Sequence, residues 1–265
     1  MKLGIKDLSA VQVASIRILS AGFVLLPFAF KAFKTIPKNK LSYVVASGLL
    51  GSFFPAFLYC IAETRIDSAL AAVLNSFTPV FAIIIGASFF QLQVTKQKIV
   101  GIMIGFIGLI LLPFASKKGI DFTDVSYSLL IILATVCYGI NVNMVGRHLK
   151  EIQPLQIASV ALSLLIVPCI IILFASNFFS LPLGNHSLLM AILASSVLGV
   201  FGTAMASVFF YMLVKSAGAL FASLVTYGIP FVAIVWGLLY HESITVLQVL
   251  CLAIILGGVY LVNKK

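Results

Sequence analysis

"LSAVQVAS" at residues 8–15 returns in altered form as "QPLQIAS" at residues 153–159. Setting Gln12 over Gln156 brings Ala14 and Ser15 onto Ala158 and Ser159, each pair preceded by an aliphatic residue. A chain whose opening resembles a stretch past its own midpoint carries an internal repeat, and repeats decide architecture before single motifs do. Two further stretches extend the match. "ALAAVLNSFTPVFAIIIGASFF" (69–90) aligns with "LFASLVTYGIPFVAIVWGLLYH" (220–241), placing Pro79 on Pro230 and Gly86 on Gly237. "VTKQKIVGIMIGFIGLIL" aligns with "ITVLQVLCLAIILGGVYL" through Thr95 and Thr245, and through Gly108 and Gly258.

The composition says what the repeated units are. The chain is 62% hydrophobic and 9% charged, with a mean hydropathy of +1.20, whereas a soluble domain carries about 25% charged residues. Cutting at polar clusters leaves nine apolar stretches, at 8–30, 41–62, 69–90, 99–115, 125–146, 154–175, 187–214, 217–240 and 244–262. Each is close to the roughly 17–25 residues that a helix needs to cross the hydrocarbon core. Membrane strands would be about half as long and would alternate strictly. Arg17 inside the first stretch argues against a cleaved signal peptide. The expected fold class is all-α: a polytopic membrane helical bundle of nine transmembrane helices.

Order along the chain divides the nine into a first repeat at 1–115 and a second at 125–265. The span 125–146 has no counterpart before the opening residues, so four helices face five where five and five are expected. A repeat of five spans is odd, so its successor enters the membrane from the other side, which makes the repeats inverted, a build common among secondary transporters. The asymmetry leads to two open readings: a further span of about twenty residues upstream of Met1, or a nine-span variant.

The formal charge of +10 is distributed by loop. Alternate loops collect Lys31, Lys34, Lys38, Lys40, Lys96, Lys98, Arg147, Lys150, Lys215, Lys264 and Lys265, with Glu151 the only acid among them. The opposite set holds Lys2, Lys6, Arg65, Lys117 and Lys118 against Asp7, Glu63, Asp67, Asp121, Asp124 and Glu242. This asymmetry places the first set and the C-terminus in the cytoplasm, with the chain multi-pass in the cell (inner) membrane. Charge therefore encodes orientation, and a nucleic-acid partner is not expected. Cys60, Cys137, Cys169 and Cys251 lie within spans at unrelated spacings, with no metal or redox motif. His148, His186 and His241 fall at span ends, and "NHS" at 185–187 is a bare glycosylation match. No P-loop is present, and no cofactor or metal is expected.

The motifs "LN-x-x-x-P-V-F-A" (74–82), "Y-G-I-P-F-V-A" (227–233), "E-S-I-T-x-x-Q" (242–248) leading to "G-G-V-Y-L", and "V-A-S-I-R-I-L-S-A" (13–21) resemble the drug/metabolite transporter superfamily, specifically its EamA-type permeases. The resemblance covers essentially the whole chain. It implies ten helices from two inverted five-helix repeats around a central cavity, and movement of amino acids, other small metabolites or drugs, often outward. The chain departs from the pattern in its missing first helix and in Leu92, which occupies the acidic position of the first repeat's "E-x-L-T" motif; Glu242 keeps it in the second.

Polar groups inside a membrane are costly and are therefore candidate functional groups. Pro79 and Pro230 each remove a backbone hydrogen bond from the carbonyl four residues earlier, which points to freed carbonyls at Asn75 and Thr226 beside Ser76 and Tyr227. Serine and threonine hydroxyls re-satisfying a simple kink are the competing reading. Arg17 is the basic residue deep in a span, either an anchor for a substrate carboxylate or a snorkelling side chain paired with Glu63 or Asp67. Thr135, Tyr138 and Asn141 form one polar stripe; Gly199, Thr203, Ser207 and Tyr211 form a second; Ser52 with Tyr59 offers a weaker first-half version. The expected cavity thus comprises Arg17, Ser52, Tyr59, Asn75, Ser76, Tyr138, Asn141, Tyr211, Thr226 and Tyr227, with helix breaks at Pro79 and Pro230. Trp236 and Tyr240 read as interfacial anchors. "GIMIG" at 101–105 either packs within the bundle or pairs two copies as a homodimer.

The expected function is alternating-access transport of small metabolites, amino acids or related amphipathic solutes, by export, with the solute and the lipid bilayer as partners and no catalysis. Two rivals stand beside it: a membrane-embedded enzyme acting on lipid, with His241 and Glu242 as its candidate pair, and an inactive truncated permease.

Overall fold

Nine apolar stretches become nine helical segments in a computed structural model that describes residues 4–5, 7–66, 68–114, 125–182, 185–229, 232 and 245–263. In chain order they are α1 (Ala10–Thr35), α2 (Lys38–Ala62), α3 (Leu70–Phe89), α4 (Lys96–Phe114), α5 (Val125–His148), α6 (Pro154–Ala175), α7 (His186–Ala217), α8 (Ala219–Gly228) and α9 (Val246–Asn263). Among the described residues every regular element is helical. Segments α1, α2, α3, α5, α6 and α7 are long and apolar enough to cross a membrane by length and composition. The 19 residues of α4 rise about 28 Å, close to the thickness of a hydrocarbon core. The chain is a multi-pass helical membrane bundle.

The repeated glutamine explains how two of these helices begin. Ser9 caps α1: its hydroxyl accepts from the Gln12 N–H at 3.3 Å, and Gln12 Oε1 accepts from the Ser9 N–H at 2.9 Å. This capping box satisfies two of the orphan donors at a helix start. The Gln12 amide nitrogen remains, and it donates to Ser176 O at 2.9 Å, just past the end of α6. At the start of α6, Gln156 Oε1 accepts from the Gln153 N–H at 3.3 Å, while Gln156 Nε2 donates to Thr35 Oγ1 at the end of α1 at 3.0 Å. Each glutamine caps its own helix and ties off the far end of the other. The two helices consequently lie antiparallel, with Ala14, Ser15, Ala158 and Ser159 fully buried between them.

Glycine sets the close crossings around this pair. A Cβ added to Gly48 on α2 would come within 2.8 Å of Ala161 O on α6, and one added to Gly199 on α7 would collide with Arg17 O on α1. In the alignment that sets Gln12 over Gln156, Arg17 falls on Ala161; in the one that sets Pro79 over Pro230, Gly48 falls on Gly199. Equivalent glycines therefore meet equivalent backbone positions. The residues after them also match. "GLLGS" (48–52) and "GVFGT" (199–203) both run into π-helical turns, Leu49–Phe53 within α2 and Val200–Met205 within α7. A π turn inserts a residue into the α-helical ladder and re-aims the side chains that follow.

The remaining helices pack around this frame. α5 lies on α2 and α3, where Asn143 Nδ2 donates to Ala82 O at 2.8 Å and Gly139 approaches the Phe81 backbone. α4 and α9 form the other close pair: a Cβ on Gly101 would come within 2.7 Å of Gly258 O. The "GIMIG" glycines thus serve packing inside the bundle, the first of the two readings.

Candidate functional site

Helices α1, α2, α3, α5, α7 and α8 surround a cavity of about 450 Å³. Its polar wall is built from both halves of the chain: Arg17 from α1, Gly51 and Ser52 from α2, Asn75 and Thr78 from α3, Tyr138 and Asn141 from α5, and Gly202, Thr203, Ser207 and Tyr211 from α7. Ser223 and Thr226 close it from α8. Phe209, Phe210, Leu213, Val225 and Ile229 supply most of the apolar wall. Phe209 and Val225 are also 60% and 53% exposed, so the cavity opens on the flank between α7 and α8.

Arg17 is held rather than loose. Its Nε donates to Thr203 Oγ1 at 2.7 Å, bridging α1 to the π turn of α7. That bond occupies one of five guanidinium donors, and it is the side chain's only hydrogen bond among the described residues. Asp67, one of its two expected ion-pair partners, lies outside the described residues. The cation therefore faces the cavity with donors in hand.

A second cluster sits where α2, α5 and α7 meet. Ser47 Oγ and Tyr211 Oη share a hydrogen bond of 2.8 Å, and the Asn141 amide lies beside the same tyrosine over Gly51. One turn earlier in α2, the Tyr43 ring stacks on His148 with centroids 4.4 Å apart and planes 5° from parallel. On the opposite wall Tyr59 donates to Asn75 Oδ1 at 2.6 Å and tilts against Tyr138. Tyr59 is thus a buttress behind Asn75 rather than part of the lining.

The proline carbonyls differ from expectation. Pro79 sits in the first turn of the second part of α3, after a break at Ser76 and Phe77. Asn75 O is taken by Thr78 Oγ1 at 2.8 Å, so the hydroxyl three residues on re-satisfies it. Thr226 O accepts from the Ile229 N–H; Pro230 itself lies outside the described residues, as do His241, Glu242, Trp236 and Tyr240. Neither carbonyl is free.

Two expected residues turn away. Ser76 is fully buried and donates into its own helix at Val73 O. Tyr227 is buried against Gly105 of α4 and donates to Ile102 O at 3.1 Å. The cavity also contains Thr78, Ser223, Gly51 and Gly202, which the sequence reading passed over. Aligning α2 with α7 through the proline register would have found the glycines, because it places Gly51 on Gly202 and Ser52 on Thr203.

The profile of the EamA-like transporter family matches residues 1–114 and 125–264. The chain belongs to the EamA-like transporter family. Its relatives carry transporter names. It is 28% identical over 268 residues to an "Uncharacterized transporter" of Archaeoglobus fulgidus, covering all of this chain and 92% of that one. It is 24% identical over 267 residues to the "Uncharacterized inner membrane transporter YedA" of Escherichia coli K12, covering 99% and 84%. A "Probable amino-acid metabolite efflux pump" of Salmonella typhimurium matches at 28% over 120 residues, 45% of this chain and 38% of that one. A solved crystal structure shares the fold with a TM-score of 0.73 at 14% identity, covering 97% and 88%.

Proposed function

We propose that this EamA-family transporter moves small amphipathic metabolites, amino acids among them, outward across the cytoplasmic membrane by alternating access, and that it performs no catalysis. The observation that carries this reading is Arg17: a cation inside a span, anchored at one donor by Thr203, facing an otherwise mostly apolar cavity. Such a site suits a solute with a carboxylate and an apolar body, because a planar guanidinium binds carboxylates through paired donors. The name of the Salmonella relative supports the amino-acid class. The excess of Lys and Arg at one end supports a cytoplasmic C-terminus.

The cavity is built by helices from both repeats, as rocking of two inverted halves around a midplane site requires. Among its described lining residues there is no carboxylate, imidazole or thiol. The enzyme reading's candidate pair, His241 and Glu242, lies outside the described residues.

The test is reconstitution of the purified chain into liposomes, with counterflow of labelled amino acids and of matched carboxylates followed alongside mass spectrometry of lipid and solute. Saturable exchange without product, abolished by Arg17→Met, is expected. Product formation without exchange would support the lipid enzyme, and exchange indifferent to Arg17 would remove the residue from the site.

A further inference from the structure

Asn141 carries the one buried side-chain polar atom without a hydrogen-bond partner among the described residues, its Oδ1. The residue is 2% exposed and lines the cavity. Buried acceptors are nearly always paired, because an unpaired one has lost its water and gained nothing. The exception asks for a partner that the folded chain does not supply.

The other end of the amide lies beside Tyr211, whose hydroxyl is bonded to Ser47 Oγ at 2.8 Å. A Cβ added to Gly51 would collide with Asn141 Nδ2 and would stand 3.2 Å from Tyr211 Oη. The glycine leaves room for the amide with Nδ2 on the tyrosine side, and its acceptor end is left over.

We infer that Asn141 Oδ1 is the specificity-determining acceptor of the cavity, receiving an N–H of the transported solute. Resting on the transport reading above, this narrows the class from carboxylates in general to solutes that carry both an anionic group, for Arg17, and an amine or ammonium, for Asn141. A carboxylate lacking the amine would leave Oδ1 unpaired in the bound state, and sites built to hydrogen-bond a group reject analogues without it.

The experiment compares matched pairs in proteoliposome counterflow: L-leucine with 4-methylpentanoate, L-phenylalanine with 3-phenylpropionate, and L-threonine with 3-hydroxybutanoate. The wild-type chain is expected to favour the amine-bearing member by about tenfold or more. Asn141→Leu should bring that member down to the level of its partner. Asn141→Asp, which keeps an acceptor at nearly unchanged volume, should retain the preference even if the leucine variant fails to fold. Equal exchange of both members by the wild type, or a preference that survives in Asn141→Leu, would overturn the inference and leave the transport reading standing. No saturable exchange with any pair would overturn both.

Discussion

Arg17 Nε lies 2.7 Å from Thr203 Oγ1, and the two residues stand 186 positions apart in the chain. One hydrogen bond thus fixes the direction of the cavity's cation and links the opening helix to the π turn of α7. Arg17→Lys keeps the charge but loses both the Nε donor and the planar fork. Exchange of a carboxylate-bearing solute in proteoliposomes should fall about tenfold, as expected for loss of one charge-assisted hydrogen bond. Thr203→Val should produce a smaller fall. The double variant should show non-additive effects, since residues sharing a bond couple by about 0.5–3 kcal/mol.

Gly48→Ala and Gly199→Ala should each destabilise the bundle by about 1–3 kcal/mol, the usual cost of overpacking. The added methyl group meets backbone in both cases, Ala161 O and Arg17 O, and backbone yields less readily than a side chain. Gly257→Ala is the control. A Cβ there meets nothing within 4 Å, so the substitution should be neutral or stabilise α9 by up to about 1 kcal/mol. Thermal unfolding of the detergent-solubilised protein would separate the two classes.

Gln12→Leu removes both the return bond of the capping box and the donor to Ser176 O. Gln156→Leu does the same at the other end of the α1–α6 pair. Each should lower stability by about 0.5–2 kcal/mol, the range for loss of a helix cap. Midpoints of unfolding in graded SDS would show it, and equal losses from the two substitutions would match their equivalent roles.

Tyr227→Phe and Tyr211→Phe should behave differently although both delete a buried hydroxyl. Tyr227 bonds Ile102 O away from the cavity, so its loss should cost about 0.6–1.7 kcal/mol of stability, typical of hydrogen bonds between membrane helices, and leave flux unchanged. Tyr211 bonds Ser47 and stands beside Asn141 inside the cavity. Its loss should reduce flux or relax selectivity while the protein remains folded by size-exclusion chromatography.

Helix number and family were legible because apolar length and repeated motifs survive without any knowledge of packing. Arg17, Ser52, Asn75, Tyr138, Asn141, Tyr211 and Thr226 are brought to one cavity because lipid leaves polar side chains nowhere else to turn. Tyr227 was not separable from Thr226 by that argument. The pair lies in the 3₁₀ turn Leu224–Gly228, where successive side chains are about 120° apart, so neighbours in sequence face different helices. The carbonyl at Asn75 failed for a related reason: Thr78 sits three residues away, within reach of back-bonding, and composition alone does not say whether a hydroxyl turns inward to its own helix or outward to a cavity. The π turns at Leu49–Phe53 and Val200–Met205 left a trace only in the spacing of Gly48, Gly51, Gly199 and Gly202.

The reciprocal glutamines also constrain how the protein is made. The terminus of α1 finds its acceptor at Ser176, and the donor for Thr35 is Gln156. During translation the opening helix therefore enters the membrane on the order of ten seconds before its counterpart emerges from the ribosome. Until then Gln12 and Thr35 both lack α6, and the first five segments are an unfinished body in lipid. Half-molecules expressed separately should be short-lived, and co-expression of the two should rescue both.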